Sequence, residues 1–187
     1  DGAIWFTDPP YGILSNVEGY KAKSELDRNY VFRLDPHSKS IDIVADDFDK
    51  PNGLAFSPDE KKLYIADSGA INGASDPSFN RDAPHHIRCF DVLNGRIIRN
   101  STIFVDINQG VPDGIRVDSE GFVWSSASDG VHCYSPTGVL YGKILIPEVV
   151  ANLTFGGHNG KYLFIAASTS IYGVKTNRQD AKKARHL

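Results

Sequence analysis

Two short polar tripeptides, Pro51-Asn52-Gly53 and Pro112-Asp113-Gly114, each open an apolar run in this chain. Leu54-Ala55-Phe56 follows the first, and Ile115-Arg116-Val117 follows the second. Each run leads through an acidic turn to a second strand-like run. An amide and a carboxylate therefore recur at one place in two copies of a unit. Side-chain oxygens at equivalent repeat positions can converge on a common axis, and a carboxylate with an amide oxygen suits a hard divalent cation such as Ca²⁺ or Mg²⁺. The same residues also fit ordinary turn chemistry, because Asn or Asp before Gly commonly bonds nearby backbone. In the last unit, aligning Leu153-Thr154-Phe155 with Leu54-Ala55-Phe56 puts Ala151 in the ligand column and Asn152 one position off it.

The elements that must hold such a pair are repeats. Segments Ala3–Asp8, Lys62–Asp67, Phe122–Ala127 and Tyr162–Ala167 align on one aromatic column, Trp5, Tyr64, Trp124 and Phe164. Polar turns precede each segment. Regular aromatic-bearing strands with turn signals between them predict an all-β chain, with small antiparallel sheets repeated radially as a β-propeller. The second unit reads as a full blade, with strands near Gly53–Phe56, Leu63–Ala66, Ile87–Val92 and Ile97–Val105. The third repeats it near Gly114–Val117, Phe122–Ser126, Val131–Tyr134 and Leu140–Ile144, and the last offers Leu153–Phe155, Leu163–Ala166 and Ile171–Val174. Two long insertions, Tyr11–Asn29 and Gly69–Pro84, follow second strands in corresponding units and have the Gly, Ser, Asn, Asp and Pro content of functional surface loops. No helical periodicity of useful length precedes the tail, where Asp180–Arg185 could form one turn. The first unit starts at its second strand, so its innermost strand has no sequence here. The expectation is one β-propeller domain over 1–187, incomplete at its N-terminus, with about four partial or complete blades and a polar tail over 178–187.

Composition excludes several function classes. With 41% hydrophobic and 23% charged residues, the 187-residue chain can bury a core and is not expected to be disordered. A net charge of −3 gives no footprint for nucleic acid, and Lys182, Lys183 and Arg185 gather only in the tail. No apolar stretch approaches the ~20 residues that would span a membrane. Cys89 and Cys133 sit within apolar runs, where buried free thiols are the expectation. Cytoplasmic placement is expected, with periplasmic or secreted placement left open, and oligomeric state is not legible.

An ordered series of segments carries a resemblance. It runs from Asp1-Gly2-Ala3-Ile4-Trp5-Phe6-Thr7-Asp8-Pro9-Pro10-Tyr11-Gly12 through Gly19-Tyr20-Lys21-Ala22 and Asn29-Tyr30-Val31-Phe32-Arg33-Leu34-Asp35-Pro36. It continues through Pro51–Asp59, His85-His86-Ile87-Arg88 and Pro112-Asp113-Gly114 to Asn152-Leu153-Thr154-Phe155-Gly156-Gly157. Over nearly its whole length the chain resembles the SMP-30/gluconolactonase/luciferin-regenerating-enzyme-like family. That resemblance implies a six-bladed propeller and a metal-dependent lactonase, with one divalent cation held in the axial channel by a Glu, an Asn and an Asp. By motif match Asn52 is the metal-binding Asn, and Asp113 is both the metal-binding Asp and the catalytic proton acceptor. Ca²⁺ is the first choice, with Zn²⁺, Mg²⁺ or Mn²⁺ as alternatives, and a small-molecule lactone is the substrate. Asp8 and Tyr11 are expected near the lactone hydroxyls, and His85 at the channel mouth. Turn chemistry, aromatic packing and loop packing are the other readings of those three.

The sequence also departs from the family pattern. No segment matches the one that bears the family's metal-binding Glu, and Glu18, Glu25, Glu60, Glu120 and Glu148 all lie in other contexts. A substrate-positioning Asn of the family also has no match here. The isolated piece is therefore expected to bind metal weakly and to be inactive. Trp5 and Trp124 read as core, Asp67 as the anchor of a blade turn, and Gly156-Gly157 as a turn. No Gly-x-Ser-x-Gly elbow is present, so a serine-hydrolase reading has no support. A non-catalytic propeller that binds a partner or small ligand, and an organophosphate or aryl-ester hydrolase, are the competing readings.

Overall fold

Short apolar runs broken by Gly, Asp and Asn turns are too brief for helices and have strand periodicity, and they fold as strands. The structure, a computed structural model, describes residues 1–73, 76 and 78–181. Its strands form four antiparallel sheets, each a meander in chain order. The first holds β1 (Ile4–Thr7), β2 (Asn29–Leu34) and β3 (Ile41–Phe48). The second holds β4 (Pro51–Phe56), β5 (Lys62–Asp67), β6 (His86–Leu93) and β7 (Ile97–Asp106). The third holds β8 (Ile115–Val117), β9 (Val123–Ala127), β10 (Gly130–Tyr134) and β11 (Leu140–Leu145). The fourth holds β12 (Val150–Gly156), β13 (Tyr162–Ala167) and β14 (Ile171–Lys175). The one α-helix among the described residues is the single turn α1 (Tyr11–Leu14), inside the first insertion. No helix among them is long and apolar enough to cross a membrane. This all-β arrangement is consistent with a β-propeller.

The core lies in three seams between successive sheets, and the aromatic column explains how they are built. Trp5 points toward the second sheet, where it meets Phe56 edge-on at 5.5 Å within the cluster of Val31, Phe48, Leu63, Ile65 and Phe90. Tyr64 points toward the third sheet, packing with Ile115, Val117 and Val123. Trp124 points toward the fourth, packing with Leu153, Phe155, Leu163 and Ile165. The column's neighbours along each strand point the opposite way, toward the preceding sheet, as strand alternation requires. Both faces of β5 and β9 are therefore buried, whereas β1 and β13 alternate. At the two ends of the array the pattern continues with nothing opposite: Ile4 is 54% exposed on β1 and Phe164 is 41% exposed on β13. Each fully buried aliphatic side chain in a seam contributes about 1.5–3 kcal/mol.

Polar residues fix the turns between these strands. Asp118, fully buried, accepts from the backbone N–H groups of Glu120 and Phe122 and from Trp124 Nε1, tying the β8–β9 turn to the column residue above it. Asp67 accepts from the Asp49 and Lys50 N–H groups at 3.0 and 2.9 Å, and so anchors the β3–β4 link between two sheets rather than a turn within one. Residues 178–181 of the expected polar tail are fastened rather than frayed. Arg178 stacks 3.8 Å over Phe122 and pairs with Glu120, while the Ser119 N–H donates to the Gln179 carbonyl. The remainder of the tail, with Lys182, Lys183 and Arg185, lies outside the described residues. Cys89 and Cys133 are free thiols, and burial pushes Cys133 up to about 12.

Candidate functional site

The two tripeptides lead into inner strands that lie side by side, and their glycines make that approach possible. Neither Gly53 nor Gly114 has a positive φ, and Gly53 lies within β4, so left-handed turn geometry is not what these glycines supply. Their glycines permit close approach instead. The Gly53 N–H donates to the Asp113 carbonyl at 3.0 Å, and the Gly114 N–H donates to the Ala151 carbonyl at 2.8 Å. A Cβ on Gly53 would strike the Asp113 carbonyl oxygen and the backbone of Gly114 and Ile115. Backbone cannot move aside as a side chain can. Gly53→Ala is therefore expected to cost about 3 kcal/mol, read as a lower urea midpoint at an unchanged m-value.

β-bulges aim the side chains at these strand starts. Pro51 pairs with Asp67 and Leu54 with Ile65, so β4 carries one residue more than β5 across that interval. β12 does the same, with Val150 opposite Ala167 and Asn152 opposite Ala166. A bulge turns a side chain toward a site that regular pairing would deny it. The backbone alignment does leave Ala151 in the ligand column, because its carbonyl takes the bond that Asp113 takes one sheet earlier. The bulge nevertheless brings Asn152 to the cavity, with Oδ1 lying over Gly114.

Asn52, Asp113 and Asn152 line one cavity of about 290 Å³, with Thr7 and Arg116 also in its wall. Hydroxyls hold the ligand segments in place. Thr7 Oγ1 donates to the Asn52 carbonyl at 2.8 Å, and the Asp113 N–H donates to Ser126 Oγ at 2.9 Å. Asn52 Nδ2 donates to Ser68 Oγ at 3.2 Å, and that hydroxyl donates in turn to the Pro112 carbonyl. Burial pushes the Asp113 carboxyl up to about 6; the Asn52 amide lowers it, and the Glu18 charge raises it further. No ammonium or guanidinium is among these influences. Glu18 thus stands within electrostatic reach of Asp113, although its sequence context matches no ligand motif.

Of the residues expected to meet substrate, Tyr11 is drawn toward Asp113 and the other two are not. The Tyr11 hydroxyl donates toward the Ser68 and Ile71 carbonyls at 3.1 and 3.5 Å. Burial holds its pKa well above the ordinary phenol range, the Ser68 side-chain hydroxyl opposes this, and Asp113, Asp67 and Asp49 add to it. It is a neutral donor at every working pH. Asp8 lines a different hollow, with Pro9, Glu25 and Arg28, that shares no residue with the first. His85 bonds through Nδ1 to the Ile107 carbonyl at 3.0 Å and lies 5.4 Å from the Phe79 ring. A carbonyl only accepts, so Nδ1 carries the proton and Nε2 is left to accept. Sequence reasoning missed Ser68, Ser126 and Thr7, whose signal is a hydroxyl near the end of a second strand in three units.

The donor set fits a hard divalent cation. Among the described residues no three His, Cys, Asp or Glu side chains gather at one point, so the set is amide and carboxylate rather than all-carboxylate. The Asn52 Nδ2 donates to Ser68 Oγ and its amide favours the Asp113 carboxylate, which leaves Oδ1 as the end of the amide that a cation could use. The Asp113 carboxylate is desolvated without a basic partner, an arrangement that a dication would relieve.

Residues 1–169 match the family described as SMP-30/Gluconolactonase/LRE-like region. A gluconolactonase of Zymomonas mobilis is 33% identical over 185 residues, an alignment that covers 94% of this chain and 48% of the relative. The solved structure of a gluconolactonase from Xanthomonas campestris superposes with a TM-score of 0.80 at 35% identity, covering 94% of this chain and 54% of that one. Regucalcin of Agrobacterium tumefaciens, a calcium-binding protein, shares the fold with a TM-score of 0.71 at 16% identity, covering 96% of this chain and 59% of its own. The chain spans about half the length of the relatives it matches.

Proposed function

Because the chain belongs to the SMP-30/gluconolactonase/LRE-like family, we propose that it supplies part of the active site of a metal-dependent lactonase that opens a sugar-type lactone to its hydroxy acid. The observation that carries this reading is the convergence of Asn52 and Asp113, from two different sheets, on one cavity. The full protein would be a six-bladed propeller with one axial cation, its Glu ligand coming from residues beyond this chain. Asn52 Oδ1 and the Asp113 carboxylate would hold the cation, with Ca²⁺ favoured by the all-oxygen set and Zn²⁺, Mg²⁺ or Mn²⁺ as alternatives. When bound, the cation supplies polarisation of the lactone carbonyl and acidification of a nearby water.

The protein's own residues do the rest. Asp113 takes the proton of the attacking water, a role open to a carboxylate that is ionised at neutral pH. The Tyr11 oxygen keeps lone pairs that can accept from a lactone hydroxyl while its own O–H remains donated to the Ser68 carbonyl. Asp8 and His85, placed away from this cavity, have no part in the proton transfer. In the full-length protein, chelator is expected to abolish hydrolysis of glucono-lactone, and Ca²⁺ or Zn²⁺ to restore it. Activity that survives exhaustive chelation refutes the reading.

A further inference from the structure

We propose that Ser68 is the positioning residue that orients the Asn52 amide, turning its oxygen toward the cation and holding it in register with Asp113. This rests on the cation reading above. Ser68 is 1% exposed and stands where two sheets meet. Its Oγ accepts from Asn52 Nδ2 within its own sheet and donates to the Pro112 carbonyl, one residue before Asp113, in the next. One hydroxyl therefore touches both ligand-bearing segments. An amide has two ends of nearly equal size, and only the oxygen end binds a cation. The hydroxyl proton is engaged by the Pro112 carbonyl, so Ser68 can offer Asn52 only a lone pair. That lone pair favours the NH₂ end of the amide, as the Asp113 carboxylate does. Unlike that carboxylate, it is not itself a candidate cation ligand, and so it leaves Oδ1 for the metal when the cation is bound. A hydroxyl whose proton was free would accept either end.

The second contact adds distance control. The Pro112 carbonyl is fixed to Ser68, and the Gly53 N–H is fixed to the Asp113 carbonyl, so two bonds span the seam on either side of the ligand pair. Tyr11 reaches the Ser68 carbonyl from the first insertion, which ties the rim of the site to the same residue.

A double-mutant cycle separates orientation from general support. Aspartate at position 52 has two oxygen ends, so its metal binding is indifferent to which way it turns. In the full-length protein, Ser68→Ala is expected to weaken Ca²⁺ binding, measured calorimetrically, by about 10–100-fold in the Asn52 background. In the Asn52→Asp background the same change is expected to cost no more than about twofold. Ser68→Cys, close in size but a poor hydrogen-bonding partner, should repeat the pattern and guards against a folding defect in the alanine variant. Equal losses in both backgrounds would show a merely structural serine and overturn the proposal while leaving the cation reading intact. Unchanged affinity in Ser68→Ala and Ser68→Cys would do the same. Failure of the wild-type protein to bind Ca²⁺, Zn²⁺, Mg²⁺ or Mn²⁺ would overturn both.

Discussion

Asp113→Ala is expected to lower kcat for glucono-lactone by about 10³-fold or more in the full-length protein, because on the proposed reading one substitution removes a metal ligand and the proton acceptor together. Both losses fall on the same step. Asp113→Asn separates them: its amide oxygen can still face the cation, but it cannot accept a proton from water. Cation affinity should therefore suffer less in the asparagine variant than in the alanine variant, while kcat stays low in both. Steady-state rates at saturating metal, set beside calorimetric affinities, read the two effects independently. An alanine variant within about tenfold of wild type would refute a role for this carboxylate in the chemistry.

The same carboxylate should make the cation-free chain less stable at neutral pH than in mild acid. Its pKa is about 6 when folded, against 3.8 for the ordinary group, so between those values the folded chain holds a proton that the unfolded chain releases. The penalty is fully present above pH 6, shrinks as pH falls toward 3.8, and is absent below that. Its size is about 3 kcal/mol at 1.36 kcal/mol per unit. In chelator at pH 7.5, Asp113→Asn should therefore raise unfolding free energy by up to that amount, and the gain should vanish near pH 4. Urea titrations across that range measure it. A gain that does not change with pH would mean that the carboxylate is not desolvated in the cation-free state. Protons and metal compete for the same oxygens, so cation affinity should fall about tenfold per pH unit below pH 6.

Much of the fold is legible in the residue pattern because its seams depend on strand alternation. The column of Trp5, Tyr64, Trp124 and Phe164 needs only a period of two and regular turns to be seen, and the same pattern locates the partners of β5, β9 and β13. The strands of the last three sheets fall within a few residues of their expected bounds. β3 shows no such signal: Asp42, Asp46 and Asp47 interrupt its apolar residues, and its pairing with β2 is broken by irregularities. The site is less legible, for a geometric reason. Asn52 and Asp113 share a repeat position, which composition reveals. Whether Gly53 serves a turn or a close approach depends on φ and on a strand roughly 60 residues away. Asn152 depends on a bulge, and Ser68 on a carbonyl from the next sheet. Asn152 has no periodicity to announce it, and the hydroxyl that Ser68 shares with Thr7 and Ser126 marks a position without saying what it bonds.

The Asn52 and Asp113 cavity belongs to no single sheet, and this governs when during synthesis it can exist. A chain leaves the ribosome N-terminus first, and each meander here pairs only with its immediate neighbours in sequence. Sheets can therefore form and dock one after another as they emerge. Asn52 is exported early, yet the hydroxyl and backbone bonds that aim it reach to Pro112 and Asp113 in the third sheet. Until that sheet has docked, the nascent protein carries the ligand residues without their geometry. On the proposed cation reading, a growing chain would therefore meet metal with a half-built site, and capture would wait until the seams close.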